Sequence, residues 1–572
     1  MKRPSQTSCP RRSTGFLAPL LVPALLLAPA ATLCAQVLDQ VKIGLGEGGF
    51  SATYGVNDRF GSGVAALGDL DGDGVGDLAV SKAYTFENAG PADSGVVWIL
   101  FMNADGTVRS QQPIGTGLGG FGGALLYEDG FGDSLAALGD VDGDGVTDIA
   151  VGATGDVVAY GGFNRGAVWI IFLNADGTAK AWNKIAEDTG GFVGTFGSGT
   201  QFGSAVCSIG DTDNDGVPDI AVGAPGNSDV LKAGSVWLLR LNADGTVKAQ
   251  HQISELGEMS GLLGDYDNFG SAVCDLGDFD GDGVRDLAVG AVGTESPVLH
   301  TPTGAVWLLF LHADLTVKSV LKLNETTGLQ GALETSDGFG SSIANLGDIS
   351  GDGVTDLAVG ASKYNGPLPT PPARGAVFLI YLMADGTVGL HETIALGEGG
   401  FFQNLPAQAD FGAAIAFPGD ADGDGSADIF VGSPGNFVHT GYAWLIFLRT
   451  YAWASLGGGV AGGAGALMLT GVGTLQGGTP MTLSMQGGKA NAPMTLFVGP
   501  SNLSAPFKGG TLVPLPVWLI PASTNALGEA TFAATWPAGI PAGQQVFLQC
   551  WMKDPAGPAG FAASNGLMGT QP

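Results

Sequence analysis

Residues 69–77 of this chain spell DLDGDGVGD, and the same pattern recurs five more times. The further copies are DVDGDGVTD at 140–148, DTDNDGVPD at 211–219, DFDGDGVRD at 278–286, DISGDGVTD at 348–356 and DADGDGSAD at 420–428. An even spacing of about 70 residues is the signature of a repeat architecture, in which each copy marks one structural unit. We therefore expect the rest of the chain to be scaffold around six equivalent loops.

The nonapeptide places oxygen ligands at alternate positions, as a loop that wraps around a hard cation does. Positions 1, 3, 5 and 9 are carboxylates, with Ser350 as the exception, and position 7 offers its backbone carbonyl. Calcium accepts six to eight oxygens in irregular geometry, so it is the expected ion. The predicted ligands are Asp69, Asp71, Asp73, Val75 and Asp77; Asp140, Asp142, Asp144, Val146 and Asp148; Asp211, Asp213, Asp215, Val217 and Asp219; Asp278, Asp280, Asp282, Val284 and Asp286; Asp348, Ser350, Asp352, Val354 and Asp356; and Asp420, Asp422, Asp424, Ser426 and Asp428.

Two alternatives to this loop are an EF-hand and a plain Asp-Gly turn without metal. An EF-hand needs a Glu at position 12 and flanking helices, whereas position 12 is Val in all six copies and lies in a short apolar run. A metal-free turn would leave four like charges in one loop, and these repel each other. Position 6 is always Gly, which suits a left-handed backbone. The Ser350 loop is expected to bind calcium most weakly, and whether it binds at all stays open.

Each unit contains four strand-like segments. A Phe-Gly pair opens an apolar run, the Asp loop and a LAVG-type run follow, and a run built on Trp or Phe leads to an Asp-Gly turn and a weaker fourth segment. Asp-Gly between apolar runs is a strong hairpin signal. Four antiparallel strands repeated six times predict an all-β, six-bladed β-propeller, with the aromatic residues in the core between blades.

The sequence also predicts how the ring closes. The sixth unit lacks its Asp-Gly turn and final strand. IGLGEGGF at 43–50 differs from IALGEGGF at 394–401 only at its second position, so the N-terminal strand around residues 41–43 carries the matching sequence. We therefore expect that strand to complete the last blade, which protects the sheet edges.

The Phe-Gly, Asp-loop and strand units resemble FG-GAP repeats, found in the N-terminal propeller of integrin α subunits and in related surface proteins. VGAPGN at 222–227 and VGSPGN at 431–436 are similar to the second half of that motif. The resemblance covers residues 36–452 and implies calcium bound in the rim loops and an adhesion-type role. The integrin propellers have seven blades and this chain shows six units, so the functional resemblance is one of fold.

Three segments flank the predicted propeller. Residues 1–35 have a basic start followed by an apolar stretch, which predicts a signal peptide and an exported protein, secreted or at the cell surface. No further run is long enough for a transmembrane anchor. Residues 453–466 are a Gly-rich linker, and residues 467–572 show short strands between Gly, Pro and Asn turns, which predict a small β-sandwich.

The composition narrows the function. The 572 residues carry a formal charge of −31, which argues against a nucleic-acid partner. The five His share no metal-ligand spacing, and we find no catalytic motif. Cys207 and Cys274 occupy the same repeat position, where the other copies have Ala, and we expect them to be small buried residues rather than a disulfide pair. The favoured function is a non-enzymatic, calcium-binding adhesion module with an unknown extracellular protein or glycan ligand, held by variable loops such as 84–94, 297–303 and 363–374. A calcium-dependent lectin and a secreted hydrolase or lyase on the propeller axis remain alternatives.

Overall fold

The fold was determined from a computed structural model. It describes residues 35–570 except for gaps at 56–57, 84–93, 158–163, 227–231, 297, 299, 330–331, 351, 367–372, 402, 404, 436–439, 451–452, 458–459, 461–466, 473–474, 476–477, 509 and 541–543. The predicted signal peptide therefore lies outside the described residues, except for Ala35. The described chain is all-β, with one short 3₁₀ turn at Pro558–Gly560.

Among the described residues, strand β1 (Ala35–Ile43) comes first, and the next twenty-three strands form six groups. Blade 1 holds β2 (Phe60–Gly68), β3 (Asp77–Lys82), β4 (Val96–Met102) and β5 (Val108–Gly115), and blade 2 holds β6 (Phe131–Gly139), β7 (Asp148–Ala153), β8 (Ala167–Leu173) and β9 (Ala179–Ile185). Blade 3 holds β10 (Ala205–Gly210), β11 (Asp219–Ala224), β12 (Ser235–Leu241) and β13 (Val247–Ser254), and blade 4 holds β14 (Phe269–Gly277), β15 (Asp286–Ala291), β16 (Ala305–Leu311) and β17 (Val317–Leu323). Blade 5 holds β18 (Phe339–Gly347), β19 (Asp356–Ala361), β20 (Ala376–Leu382) and β21 (Val388–Ile394), and blade 6 holds β22 (Ala414–Gly419), β23 (Asp428–Ser433) and β24 (Tyr442–Thr450).

Each blade is a four-stranded antiparallel sheet, and the six sheets form the predicted propeller. The first strand of every blade contacts the first strands of both neighbours, and the contact between β22 and β2 closes the cycle. β1 pairs antiparallel with β24, with Lys42 opposite Trp444, so the fourth strand of blade 6 comes from the N-terminus. The predicted closure is confirmed.

The core lies between neighbouring blades. The Phe of each Phe-Gly pair is completely buried, and in one such cluster Phe60 stacks on Tyr54 while Phe50 contacts both Phe60 and Trp98. The third-strand aromatic residues are buried in four further blades, at Trp169, Trp307, Phe378 and Trp444. The aromatic positions are therefore core, as the sequence predicts, although Trp237 of blade 3 is only partly buried where it packs against its cluster. Cys207, Cys274 and Cys550 are free thiols, and burial raises the pKa of Cys274 and Cys550 to about 12.

The C-terminal part is a β-sandwich. Its strands are β25 (Trp453–Gly457), β26 (Met468–Val472), β27 (Pro480–Gln486), β28 (Pro493–Gly499), β29 (Asn502–Phe507), β30 (Gly510–Pro514), β31 (Trp518–Ser523), β32 (Ala530–Thr535), β33 (Gln545–Lys553), β34 (Phe561–Ala563) and β35 (Gly566–Thr570). The larger sheet has the order β25-β35-β33-β28-β31, and the smaller has β26-β27-β32. Leu483 of the smaller sheet shares one core with Leu496 and Leu548 of the larger. Residues 453–457 of the predicted linker form β25, and the domain boundaries stay a prediction.

Candidate metal centres

Each Asp loop joins the first and second strands of its blade, and its ninth residue begins the second strand. In blade 1, the buried Asp77 carboxylate accepts the N–H of Leu70 within the loop and the N–H of Met102 at the end of the third strand, both at 3.0 Å. The same two-sided anchor recurs in every blade, on Asp148, Asp219, Asp286, Asp356 and Asp428. Position 9 therefore fastens the loop to the sheet.

The first carboxylate shapes the turn. Asp69 Oδ1 accepts the N–H groups of Gly72 and Asp73, and its Oδ2 accepts that of Gly74 at 2.8 Å. Gly74 has a φ of +92°, in the left-handed region, and a β-carbon there would meet nothing within 4 Å. The backbone angle, and not lack of space, therefore explains the Gly at position 6 in all six loops.

The carboxylates converge on one point in five loops. In blades 1 to 3, one oxygen each from positions 1, 3 and 9 lie within 4.8 Å of one another; in blades 4 and 6 the trio comes from positions 1, 3 and 5. The described residues hold no such trio in the fifth loop, where Ser350 replaces a carboxylate. In all six loops the position-5 carboxylate also accepts the position-7 N–H, as Asp73 does from Val75 at 2.9 Å.

The donor set fits a hard divalent cation. All members of each trio are carboxylate oxygens, the ligand type that calcium prefers. Asp213 Oδ1 in the third loop is buried and has no hydrogen-bond partner, which is costly for a charged group unless something else contacts it. An ion at the centre of the loop would supply that contact. The individual ligands, including the position-7 carbonyls, stay a prediction.

Comparison with known proteins identifies the repeat. The family model for the FG-GAP repeat matches residues 131–171, 202–239 and 339–380, which lie in blades 2, 3 and 5. The chain carries FG-GAP repeats.

Integrin α subunits are among the proteins that this chain resembles. Integrin alpha-2 of Mus musculus is 35% identical over 167 residues, 28% of this chain and 13% of the relative. Integrin alpha-D of Homo sapiens is 32% identical over 185 residues, 32% of this chain and 14% of the relative. Integrin alpha-5 of Xenopus laevis is 28% identical over 248 residues, 42% of this chain and 20% of the relative. The matches thus span a fifth or less of each relative's length.

Among solved structures, the V. cholerae biofilm matrix protein Bap1 aligns with 94% of this chain and 70% of its own, at 14% identity and a TM-score of 0.27. The fold of this chain is established by the strand pairing of the six blades and not by this alignment. Within the described part of the chain, no helix has the length and hydropathy needed to cross a membrane.

The ninth carboxylates of the FG-GAP loops have raised pKa values. Burial is the largest cause, and the backbone N–H donors act against it. Burial raises the pKa of Asp148 and of Asp356 to about 6, and that of Asp428 to about 7. In the other three loops burial raises the pKa of Asp77, Asp219 and Asp286. Without a cation, burial therefore shifts the ionisation of these groups toward higher pH.

Basic residues that the sequence reasoning missed contact four of the loops. A cation from the fourth strand bridges the carboxylates at positions 3 and 5: Arg109 in blade 1, Lys180 in blade 2, Lys248 in blade 3 and Lys318 in blade 4. Lys248 donates hydrogen bonds to Asp213 and to Asp215, and these two bonds raise the pKa of Lys248, the one to Asp213 most. The signal was present in the sequence, because all four cations lie two residues after the Thr that follows the hairpin turn.

The propeller axis holds a small cavity of about 80 Å³, lined by the first strands of all six blades. Ser62, Ser204, Ser271 and Ser341 occupy equivalent positions around it. Asp133 is the only ionisable group among these lining residues, and it accepts a hydrogen bond from Thr154 Oγ1.

Proposed function

We propose that this chain is an exported, calcium-stabilised FG-GAP propeller that acts as a non-enzymatic binding or adhesion module outside the cell. The observation that carries the proposal is the recurrence of converging carboxylates in the loops of successive blades. Catalysis needs one site, whereas a repeated ion site serves the scaffold of every blade. Part of this chain is similar in sequence to integrin α subunits, and that similarity supports an adhesion-type propeller.

In this function, the chain's own residues perform the binding and orientation of the ion. The carboxylates at positions 1, 3, 5 and 9 would hold calcium, and the position-7 carbonyl would complete the set of ligands. The position-9 carboxylate is already anchored by two backbone N–H groups, so it fixes the loop to its blade before the ion arrives. Bound calcium supplies the positive charge that makes a loop of four carboxylates stable.

The stoichiometry of calcium tests the metal half of the proposal. Extracellular calcium modules bind in the range of roughly 10⁻⁴ to 10⁻³ M, and an ion that binds only the folded state raises its stability by mass action. We expect a chelator to lower the melting temperature. Equilibrium dialysis of the Asp142→Ala or Asp280→Ala variant should show about one bound ion fewer than the wild type. An unchanged melting curve in chelator would overturn the calcium assignment.

The adhesion half is tested by binding. Immobilised protein should retain cells or extracellular-matrix extracts in calcium and release them in chelator, and the isolated ligand should be a protein or a glycan. The described parts of the variable loops are 94, 298, 300–303, 363–366 and 373–374, while 84–93, 297, 299 and 367–372 lie outside the described residues. Exchanging the described 300–303 segment for its counterpart from another blade should reduce retention without changing calcium stoichiometry.

The lectin and the axial hydrolase remain the alternatives, and each has its own measurement. A lectin predicts saturable binding on a glycan array. The third-strand aromatic side chains of five blades are buried, so they offer no stacking face for a sugar. A hydrolase or lyase predicts turnover in a broad substrate screen that is lost in Asp133→Asn, the variant of the ionisable lining residue.

A further inference from the structure

The fourth-strand cations occupy one structural position, defined by a β-bulge. In blade 4, Val317 pairs with Leu311 and Ser319 pairs with Phe310, so Lys318 is the extra residue between them. Arg109, Lys180 and Lys248 lie at the same bulge in blades 1 to 3. A bulge aims its extra side chain away from the regular alternation of the strand. Here the side chain reaches the carboxylates of the loop in the same blade.

Blade 3 shows how this cation relates to an ion in the loop. Lys248 Nζ lies 2.8 Å from Asp213 Oδ2 and 2.6 Å from Asp215 Oδ2. The other oxygen of Asp213, Oδ1, is buried without a partner. One carboxylate thus presents one oxygen to the lysine and leaves the other for the loop. The lysine holds two predicted ligands in place and also puts a positive charge beside the predicted ion.

Blades 5 and 6 have an uncharged residue at this bulge. At the same bulge, blade 5 has Gly389, between Val388 and Leu390. In blade 6 the bulge lies in β1, where Val37 pairs with Leu448 and Asp39 pairs with Phe447, and its extra residue is the exposed Leu38. The six loops therefore form two classes, four with a cation at the bulge and two with an uncharged residue there.

We propose that the bulge cation is a built-in counter-ion that supports a loop in the absence of calcium and weakens that loop's affinity for it. This inference rests on the proposed calcium function. The cation offsets part of the repulsion among the loop carboxylates, so it stabilises the metal-free state. It also repels an incoming divalent ion, so it lowers calcium affinity. At the separations that two contacting groups impose, and with ordinary salt screening, that repulsion corresponds to about a tenfold change in affinity.

The test replaces all four cations at once. The six predicted calcium sites would fill in the same titration, so a change at one loop would be averaged with the other five. The variant carries Arg109→Gln, Lys180→Gln, Lys248→Gln and Lys318→Gln. Its matched control carries Lys232→Gln, Lys489→Gln, Lys508→Gln and Lys553→Gln, four exposed positions that form no ion pair with a loop carboxylate among the described residues. Both proteins have the same net charge. Calcium affinity is measured by competition with a chromophoric chelator, and melting temperature is measured in calcium and in chelator.

We expect the loop variant to bind calcium about tenfold more tightly on average and to melt at a lower temperature than the control in chelator. Four arginines at these positions should restore both values. In the opposite direction, Leu38→Lys should raise the melting temperature in chelator relative to Leu38→Gln. Arg449 pairs with β1 and its side chain lies outside the described residues. It is unchanged in both Leu38 variants, so their comparison does not depend on it.

An equal loss of melting temperature in calcium and in chelator, with unchanged affinity, would mean that the four cations form ordinary surface ion pairs, and it would overturn the inference while leaving the proposed calcium function intact. A wild type that binds no calcium would overturn both. Tighter binding with a lower metal-free melting temperature supports the inference, because a simple ion pair has no reason to oppose the metal.

Discussion

A β-carbon on Gly223 would lie 2.0 Å from the carbonyl oxygen of Gly270. Gly223 belongs to the second strand of blade 3, and Gly270 is the Gly of the Phe-Gly pair in blade 4. The same approach recurs between Gly152 and Gly203 and, at the point of ring closure, between Gly432 and Gly61. The second-strand Gly of one blade and the Phe-Gly glycine of the next thus form one contact, at which the backbones of neighbouring blades meet. In blade 1 the second-strand position is Ser81, and a β-carbon on Gly132 of blade 2 would lie 2.6 Å from its β-carbon.

Gly223→Ala should therefore destabilise the propeller by steric overlap alone. Gly223 is not in the left-handed region, so the cost does not come from its backbone angles. Overpacking of this kind costs about 1 to 3 kcal/mol in the free energy of unfolding. Gly257→Ala, whose β-carbon would meet only Ser254 O at 3.7 Å, is the control and should change stability little. Denaturant unfolding measures both variants, and equal stabilities would contradict the contact.

Positions 3 and 9 of one loop should respond differently to substitution. Asp219 accepts the N–H groups of Thr212 and Leu241, and removing it leaves buried donors without partners. An unsatisfied buried donor costs about 1 to 3 kcal/mol. Asp219→Ala should therefore lower the melting temperature even in chelator. Asp213→Ala should lower it mainly in calcium, since the buried oxygen of Asp213 has no protein partner to lose. Equal losses in chelator would argue against separate roles.

The stabilisation by calcium should increase with pH. Burial raises the folded-state pKa of Asp428 from 3.8 to about 7 and that of Asp148 and Asp356 to about 6. In the metal-free protein, these protonated groups contribute their full stabilisation below about pH 4. That contribution is lost as the pH rises through 6 to 7 and the groups ionise. Calcium needs the ionised ligand, so its effect grows over the same range.

Melting curves with and without calcium at about pH 5, 6, 7 and 8 test this linkage. The melting temperature in chelator should fall across the series, and the gap between the two curves should widen. The carboxylates whose pKa a lysine lowers, such as Asp215 and Asp282, lose their contribution only below about pH 4, outside this window. A gap of constant size from pH 5 to 8 would contradict a role for the ninth carboxylates in binding.

The repeat made the fold predictable, but the site only in outline. Each loop specifies its own turn through Gly at position 6, and the hairpin turns follow from local Asp-Gly pairs, so these features are encoded within a few residues. The Gly223–Gly270 contact and the Lys248–Asp213 ion pair join different strands or blades, and only the assembled sheets bring them together. The sequence also did not predict that Leu315, which stands where other blades have the Gly of Asp-Gly, has a φ of +72° in the hairpin turn of blade 4.

Ring closure can be tested at the first strand. Ile43 is completely buried in the cluster between blades 6 and 1, whereas Leu38 on the same strand is 45% exposed. Replacing a buried Ile by Ala costs about 2 to 5 kcal/mol, and an exposed substitution costs little. Ile43→Ala should therefore lower the free energy of unfolding by that amount, and Leu38→Ala should not. Because β1 is the fourth strand of blade 6, loosening it also exposes the edge of β24, so trypsin cleavage of Ile43→Ala should begin earlier than that of Leu38→Ala. Identical cleavage and identical unfolding of the two variants would mean that the propeller does not depend on its N-terminal strand.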